Sequence, residues 1–374
     1  MRLAIITRNY AEYCLRYANA ASRSAEVLLV VDEKAARNEW SGHDAQASPG
    51  LTVVRTDLGI RRGINGLLTA IRAVIGFRPD FAHFQEAPNL TTPMLMLALR
   101  PFTRLILTVH DPCAHSGADS RLTFIQHWLT ILGRRLADLI VVHGEYNDRL
   151  YTKTYPRHRN KVIRSQHGVL MAPASDRSLR EPRTILMFGR MQRYKGLETL
   201  IEASDILSKR AVRHKVIVAG TGPEADRLLH EMQCRKNFEL RRRYILPCEA
   251  AYLFECCDIV ALPYIDATQS GVAAAALANG KVVVASRAGG LSDVIDDGVN
   301  GLLVEPGSAV SLAGALQQVL GDENLRLRLM AGACETAATK LDWSRIADEL
   351  ITELHNRAMP EARDRSHASA LINE

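Results

Sequence analysis

Apolar residues in this chain come in short runs, separated by stretches in which they recur at helical spacing. In the first half the runs fall at residues 3–7, 27–31, 53–56, 81–84, 105–109 and 139–142. Helical stretches lie between them, for example at 65–75, 92–99 and 121–136. Continuous apolar strands alternating with amphipathic helices predict a parallel sheet covered on both faces. The second half repeats the grammar, with runs at 185–188, 216–219, 244–246, 259–262, 282–285 and 302–304. Two tandem doubly wound α/β domains follow, 1–168 and 184–341. Residues 169–183 hold two prolines, several charges and no periodicity, and read as a linker. Segment 342–357 carries a last helix at 344–356, and the tail 358–374 lacks any pattern and is expected to be disordered.

Length and composition agree with that division. A chain of 374 residues exceeds one ordinary core, and 47% hydrophobic with 24% charged residues is a globular composition. Seven cysteines without a C-x-x-C pair argue for a reducing compartment and against disulfides or zinc. The first apolar run is too short for a signal-peptide core, and no run reaches the roughly 18 residues of a membrane span. A cytoplasmic location is expected. The net charge of +6 suits acidic partners without choosing among nucleic acid, anionic lipid and phosphorylated ligands. No GxGxxG or GxxxxGK[ST] motif follows a strand, which weakens the dehydrogenase and P-loop readings.

The stretch 258–306 holds the densest candidate chemistry. Ser270-Gly271-Val272 opens a short helix of small residues, so its first N–H groups and the positive end of its dipole suit a phosphate. Gly271 lets a ligand approach the backbone closely. Gly289-Gly290 starts a second short helix. Arg190 and Lys195 lie on the loop after the strand at 185–188, where two cations could clamp a diphosphate and neutralise a departing nucleotide. Arg193, between them, reads as exposed.

His110 ends another strand, and Asp111 beside it either orients a hydroxyl or starts a turn before Pro112. His83, His143 and His167 also sit at strand ends, but no spacing joins them as metal ligands, and no metal is expected. Arg8, Asn9 and Tyr10 after the first strand, together with Glu86, are candidate contacts for a second substrate on the first half. The helix at 121–136 is amphipathic. It packs as core, or faces a membrane with Arg134 and Arg135 near anionic lipid and Arg61-Arg62 adding to that surface.

Three blocks in order carry a resemblance: FGRMQRYKGLETLIEA from Phe188, VIVAGTGPE from Val216, and the stretch from Asp258 with NGKVVVAS, GG and GLLV. They resemble the nucleotide-sugar site of glycosyltransferase family 4, whose fold is GT-B, two Rossmann-like domains facing a central cleft. The resemblance implies that Arg190 and Lys195 bind the donor phosphates and that His110 lies beside the donor sugar. It implies that the loop with Cys248 holds the base, largely through backbone, and that the last helix crosses back onto the first domain. It also implies transfer of a hexose-type sugar from a nucleotide-diphosphate donor, with retained configuration and no metal or other cofactor. The acceptor would be a glycan or polyprenyl-linked glycan, in surface polysaccharide synthesis, with peripheral contact to the inner face of the membrane and no nucleic acid.

One departure stands out. The family's two glutamates, eight positions apart, correspond to Ala267 and Ala275. Asp266, Thr268 and Gln269 are the polar side chains left to meet the sugar. Two rivals remain, a nucleotide-sugar epimerase of the same fold and a non-catalytic sugar-nucleotide-binding subunit.

Overall fold

The computed structural model describes residues 1–40, 48–59, 64–113, 124–170 and 181–358. Arg61-Arg62, the start of the helix expected at 121–136, most of the expected linker and the expected disordered tail lie outside the described residues.

The first half forms one parallel sheet of β1 (Arg2–Thr7), β2 (Glu26–Asp32), β3 (Leu51–Thr56), β4 (Phe81–Gln85), β5 (Arg104–Val109), β6 (Leu139–His143) and β7 (Val162–Ser165). Its order is β3-β2-β1-β4-β5-β6-β7. The crossovers are α1 (Ala11–Ala21), α2 (Glu33–Glu39), α3 (Asn65–Phe77), α4 (Thr91–Leu99), α5 (Phe124–Leu136) and α6 (Gly144–Thr154). The second half forms a six-stranded parallel sheet of β8 (Thr184–Phe188), β9 (Lys215–Ala219), β10 (Phe238–Arg241), β11 (Ile259–Leu262), β12 (Val282–Ser286) and β13 (Gly301–Val304), ordered β10-β9-β8-β11-β12-β13. Around it lie α7 (Leu197–Lys209), α8 (Pro223–Arg227), α9 (Leu229–Gln233), α10 (Pro247–Cys256), α11 (Gly271–Ala278), α12 (Ala309–Gly321) and α13 (Glu323–Thr339).

Both sheets are buried on both faces, as their near-continuous apolar strands require. In each sheet the first strand lies between strands that wind in opposite directions. This switch point opens a crevice at the carboxyl ends of the strands. Register sets what meets there. Ile6 pairs with Phe84, and Gln85 with Thr108, so the loops after β1, β4 and β5 leave the sheet at one level.

The last helix, α14 (Trp343–Ala358), buries Ile346, Ala347, Leu350, Ile351 and Leu354. Most of that stripe packs with Tyr13, Tyr17 and Ile106 in the first sheet's core, against α1. The end of the chain therefore fastens the second half to the first.

Two strand assignments change. The run at 244–246 is not a strand: Tyr244 is 72% exposed, and the segment leads into α10 at Pro247. The edge position belongs to β10, whose Phe238 and Leu240 pack inward while Glu239 and Arg241 pair with charged neighbours. Strand β7 has no apolar run long enough to be seen in sequence; it completes the first sheet beside β6. The second short helix is a 3-10 turn, Gly289–Asp293. Its glycines are needed for packing, because a Cβ on Gly289 or Gly290 would lie 1.7 or 1.9 Å from the carbonyl oxygens of Ala267 and Thr268. That helix start is therefore covered and offers no anion site.

Candidate functional site

The crevice between the sheets gathers residues from both halves. On the second sheet, Ser270 caps α11, its Oγ accepting from the Ala273 N–H at 3.2 Å. Gly271 is exposed, and a Cβ there would meet, among the described residues, only the His167 ring, at 3.9 Å. The helix start is thus open to the crevice. Gly189 follows β8 with φ 109°, a conformation glycine adopts without strain. A Cβ on it would lie 2.9 Å from Lys195 Nζ and 3.7 Å from Val272 Cγ2. Lys195 and the start of α11 therefore share one small space.

Lys195 is only 7% exposed, and its ammonium lies 5.1 Å over the Tyr264 ring. Among the described residues, no carboxylate stands within ion-pair distance of it. A cation–π contact alone is a modest partner for a mostly buried ammonium. Arg190 is exposed at the mouth. Its charge reaches Tyr10 of the first half: burial raises the Tyr10 phenol to about 12, Asp111 and Glu86 push it the same way, and Arg190 opposes them.

On the first sheet, His110 ends β5 and is buried. Its Nε2 sits 2.9 Å from Gln85 Oε1, and its Nδ1 3.3 Å from Gln269 Nε2 across the crevice. A carbonyl oxygen on one side and an amide N–H on the other fix the proton on Nε2. Burial pushes the His110 pKa down to about 3, His167 adding to the shift and Asp111 opposing it, so the ring is neutral at neutral pH. Tyr10 stacks on it at 4.2 Å, from a left-handed backbone (φ 63°) at the N-cap of α1. A non-glycine residue held there is a strained placement of the kind found at binding sites.

The halves are joined at this point. Thr268 Oγ1 donates to Asp111 Oδ1, and Asn147 Nδ2 to the Thr268 carbonyl at 3.1 Å. The Tyr146 N–H, at the start of α6, donates to Asp293 at 2.8 Å. Asp266 is half-buried in the same loop, and its charge raises the Tyr146 pKa after the larger effect of burial. Cys248 is exposed in the first turn of α10.

Two sequence expectations are corrected. Glu86 does not face an acceptor; it forms a bidentate pair with Arg134 at 2.6 and 2.8 Å, and burial holds its pKa up although Arg134 opposes. Arg134 does not face lipid. It is 5% exposed and also donates to the carbonyls of Pro112 and Asp111 and to the Tyr155 hydroxyl. It thereby holds the loop that follows His110. Sequence reasoning missed Gln85, Asn147 and Tyr13. Tyr13 packs against His110, His143, His167 and Trp343. Their one signal was position, at or just after strand ends.

Arg8 and Asn9, with Asp32, Lys34, Glu39, Asp57 and Leu90, line a separate cavity of about 860 Å³ at the carboxyl ends of β1–β3. Asp32 is occupied by the Lys34, Ala35 and Leu58 N–H groups, and Glu39 accepts the Glu12 N–H.

Comparison with solved structures identifies the class of fold. The chain superimposes on Anabaena HepE in complex with UDP (TM-score 0.71, 16% identity, 95% of this chain and all of that one). It also superimposes on sucrose-phosphate synthase from Thermosynechococcus elongatus (TM-score 0.71, 18% identity, 96% and 98%). The fold is GT-B. In sequence, residues 182–322 match the family described as Glycosyl transferases group 1. The chain is 30% identical over 263 residues to a D-inositol 3-phosphate glycosyltransferase of Corynebacterium kroppenstedtii, covering 62% of this chain and 57% of that protein. It thus spans little more than half the length of the curated relatives it matches.

Proposed function

We propose that the protein is a glycosyltransferase moving a hexose-type sugar from a nucleoside-diphosphate sugar to a hydroxyl of a glycan or lipid-linked glycan. Transfer would retain configuration and serve surface polysaccharide synthesis on the cytoplasmic side. The observation that carries this reading is Lys195: a buried residue whose ammonium meets no carboxylate among the described residues, beside the open N-terminus of α11, in the crevice that holds His110. A diphosphate supplies the charge it lacks. UDP and UDP-glucose are bound in solved structures of the similar HepE, which favours such a donor here.

In the proposed reaction the bond from the anomeric carbon to the diphosphate breaks and a bond to the acceptor oxygen forms. The acceptor proton passes to a diphosphate oxygen. Lys195, Arg190 and the α11 N–H groups neutralise the departing charge, the part a metal plays elsewhere. Neutral His110 positions the sugar. Gln269 takes over from the missing glutamates: its Oε1 is buried and has no hydrogen-bond partner among the described residues, and a sugar hydroxyl satisfies it. Contacts such as Asp111 to Thr268 close the crevice against water. The acceptor sits in the cavity beside Arg8, Asn9 and Lys34, next to Tyr10.

The test is a thermal-shift screen of nucleoside diphosphates and their sugars, followed by product analysis with and without acceptor glycans. His110→Ala should lower transfer roughly 100-fold, the scale of a misplaced substrate, and leave nucleoside-diphosphate affinity unchanged. Absence of stabilisation by any nucleoside diphosphate would overturn the reading. Ala267 and Ala275 favour one second reading, a non-catalytic donor-binding subunit, for which binding without transfer or hydrolysis is the signature.

A further inference from the structure

Tyr10 is held in a conformation that its residue type resists. Its φ of 63° and ψ of 41° are left-handed, and only glycine enters that region without strain. The surroundings impose it. The Glu39 carboxylate, at the end of α2, faces the N–H groups of Glu12, Ala11 and Tyr10, 3.1 Å from the first. Thr7 Oγ1 donates to the Asn9 carbonyl, and the Cys14 N–H donates to the Tyr10 carbonyl at 3.0 Å, the first hydrogen bond of α1. A glycine would satisfy all of these backbone bonds without strain. The side chain is therefore what tyrosine brings to the site.

The ring is placed for a ligand rather than for packing. It lies on His110 with centroids 4.2 Å apart and planes 24° from parallel. His110 does not need it for orientation, since Gln85 and Gln269 already hold both imidazole nitrogens. Tyr10 is 38% exposed. Among the described residues no second ring or guanidinium covers it, and its hydroxyl has no hydrogen-bond partner. Burial keeps the phenol protonated, with Asp111 and Glu86 acting in the same direction, so the hydroxyl is free to donate.

Its position is the border between two spaces. Arg8 and Asn9, immediately before it, and Glu39, which faces its N–H, line the cavity of about 860 Å³, whereas His110 belongs to the crevice. A molecule reaching from the cavity to His110 passes over Tyr10. Aromatic faces are electron-rich and favour an apolar surface edged by polarised C–H bonds. A pyranose ring presents one, with hydroxyl groups around its rim for Tyr10 Oη, Arg8 and Asn9. A linear polyol presents none.

We propose, resting on the transferase reading above, that Tyr10 is the stacking platform for the acceptor's reactive residue and selects a pyranose at that position. His110 backs the platform on the donor side, so donor and acceptor sugars meet across one aromatic pair.

The experiment is saturation-transfer NMR on the full chain with methyl β-D-glucopyranoside, methyl β-D-galactopyranoside and methyl α-D-mannopyranoside, with D-glucitol as the open-chain control. Saturation of the protein's aromatic protons should pass to the ring C–H protons of at least one pyranoside and not to glucitol. Tyr10→Phe should keep at least half of that signal. Tyr10→Gly should lose it roughly fivefold or more, yet melt within about 3 °C of wild type, because relief of the left-handed backbone offsets the lost stack. Both variants should keep the thermal stabilisation that nucleoside diphosphates give the wild type. If nucleoside diphosphates stabilise the protein but no pyranoside receives saturation, or Tyr10→Gly transfers it undiminished, the platform is overturned while the donor site stands. If Tyr10→Gly melts far earlier with its pyranoside signal intact, Tyr10 is a support for His110 and the proposal falls. Absence of stabilisation by any nucleoside diphosphate overturns the transferase reading itself, and the platform with it.

Discussion

Replacing Lys195 by methionine separates a ligand-binding cation from a structural one. Methionine keeps most of the stem and removes the charge. In the free protein Lys195 is 7% exposed, its ammonium lies over the Tyr264 ring, and it faces no carboxylate among the described residues. Losing the cation–π contact costs about 1–2 kcal/mol, and relief of a poorly compensated buried charge offsets a similar amount. The unliganded variant should thus unfold within about 1 kcal/mol of wild type. With a diphosphate bound, the lost charge-assisted bond costs about 1.5–3 kcal/mol, a rise in Kd of about 12- to 140-fold, given about tenfold per 1.4 kcal/mol. Calorimetric titration with the best nucleoside diphosphate, beside urea unfolding of the free protein, reads both quantities. The reasoning fails if affinity is unchanged, or if stability drops by several kcal/mol, which would make Lys195 a structural residue.

Two further outcomes test the frame around the site. Arg134→Met should cost about 3–5 kcal/mol of stability, because it strands the buried Glu86 carboxylate; adding Glu86→Leu should restore much of it, and urea unfolding of the two variants checks the difference. Acid should destabilise the fold before carboxylates titrate. Burial depresses His83 and His110 from 6.5 to about 3, so below about pH 6.5 the unfolded chain binds protons that the folded chain refuses. Stability is full above that pH and falls toward pH 3 by up to about 1.4 kcal/mol per pH unit for each histidine. His83→Gln should flatten the dependence, and a urea midpoint that stays constant from neutral pH to about 4.5 would refute the buried, neutral histidines.

The two-domain alternation, the placement of most strands and the nearness of Lys195 to the start of α11 were legible in sequence. Strand and helix periods are local properties, and a parallel sheet sends every strand's carboxyl end to the same crevice. That is why Lys195 and Ser270, 75 residues apart in the chain, could be placed in one crevice in advance. The errors fell where a local signal is weak. The edge strand β10 is half-buried and alternating, while the more apolar 244–246 lies in a loop. β7 is four residues long.

What sequence determined by itself was therefore the order of elements and the ends at which chemistry gathers. Partner choice was decided only by tertiary structure. Arg134 reads in sequence as the end of an amphipathic helix; it becomes a buried anchor because Glu86, 48 positions earlier, arrives directly after β4. His110 acquires its neutral state from burial and its proton position from Gln85 and Gln269, 25 and 159 residues away. Periodicity records which face of an element is covered. It carries no record of which distant side chain covers it, and burial among such partners keeps His110 neutral in this crevice.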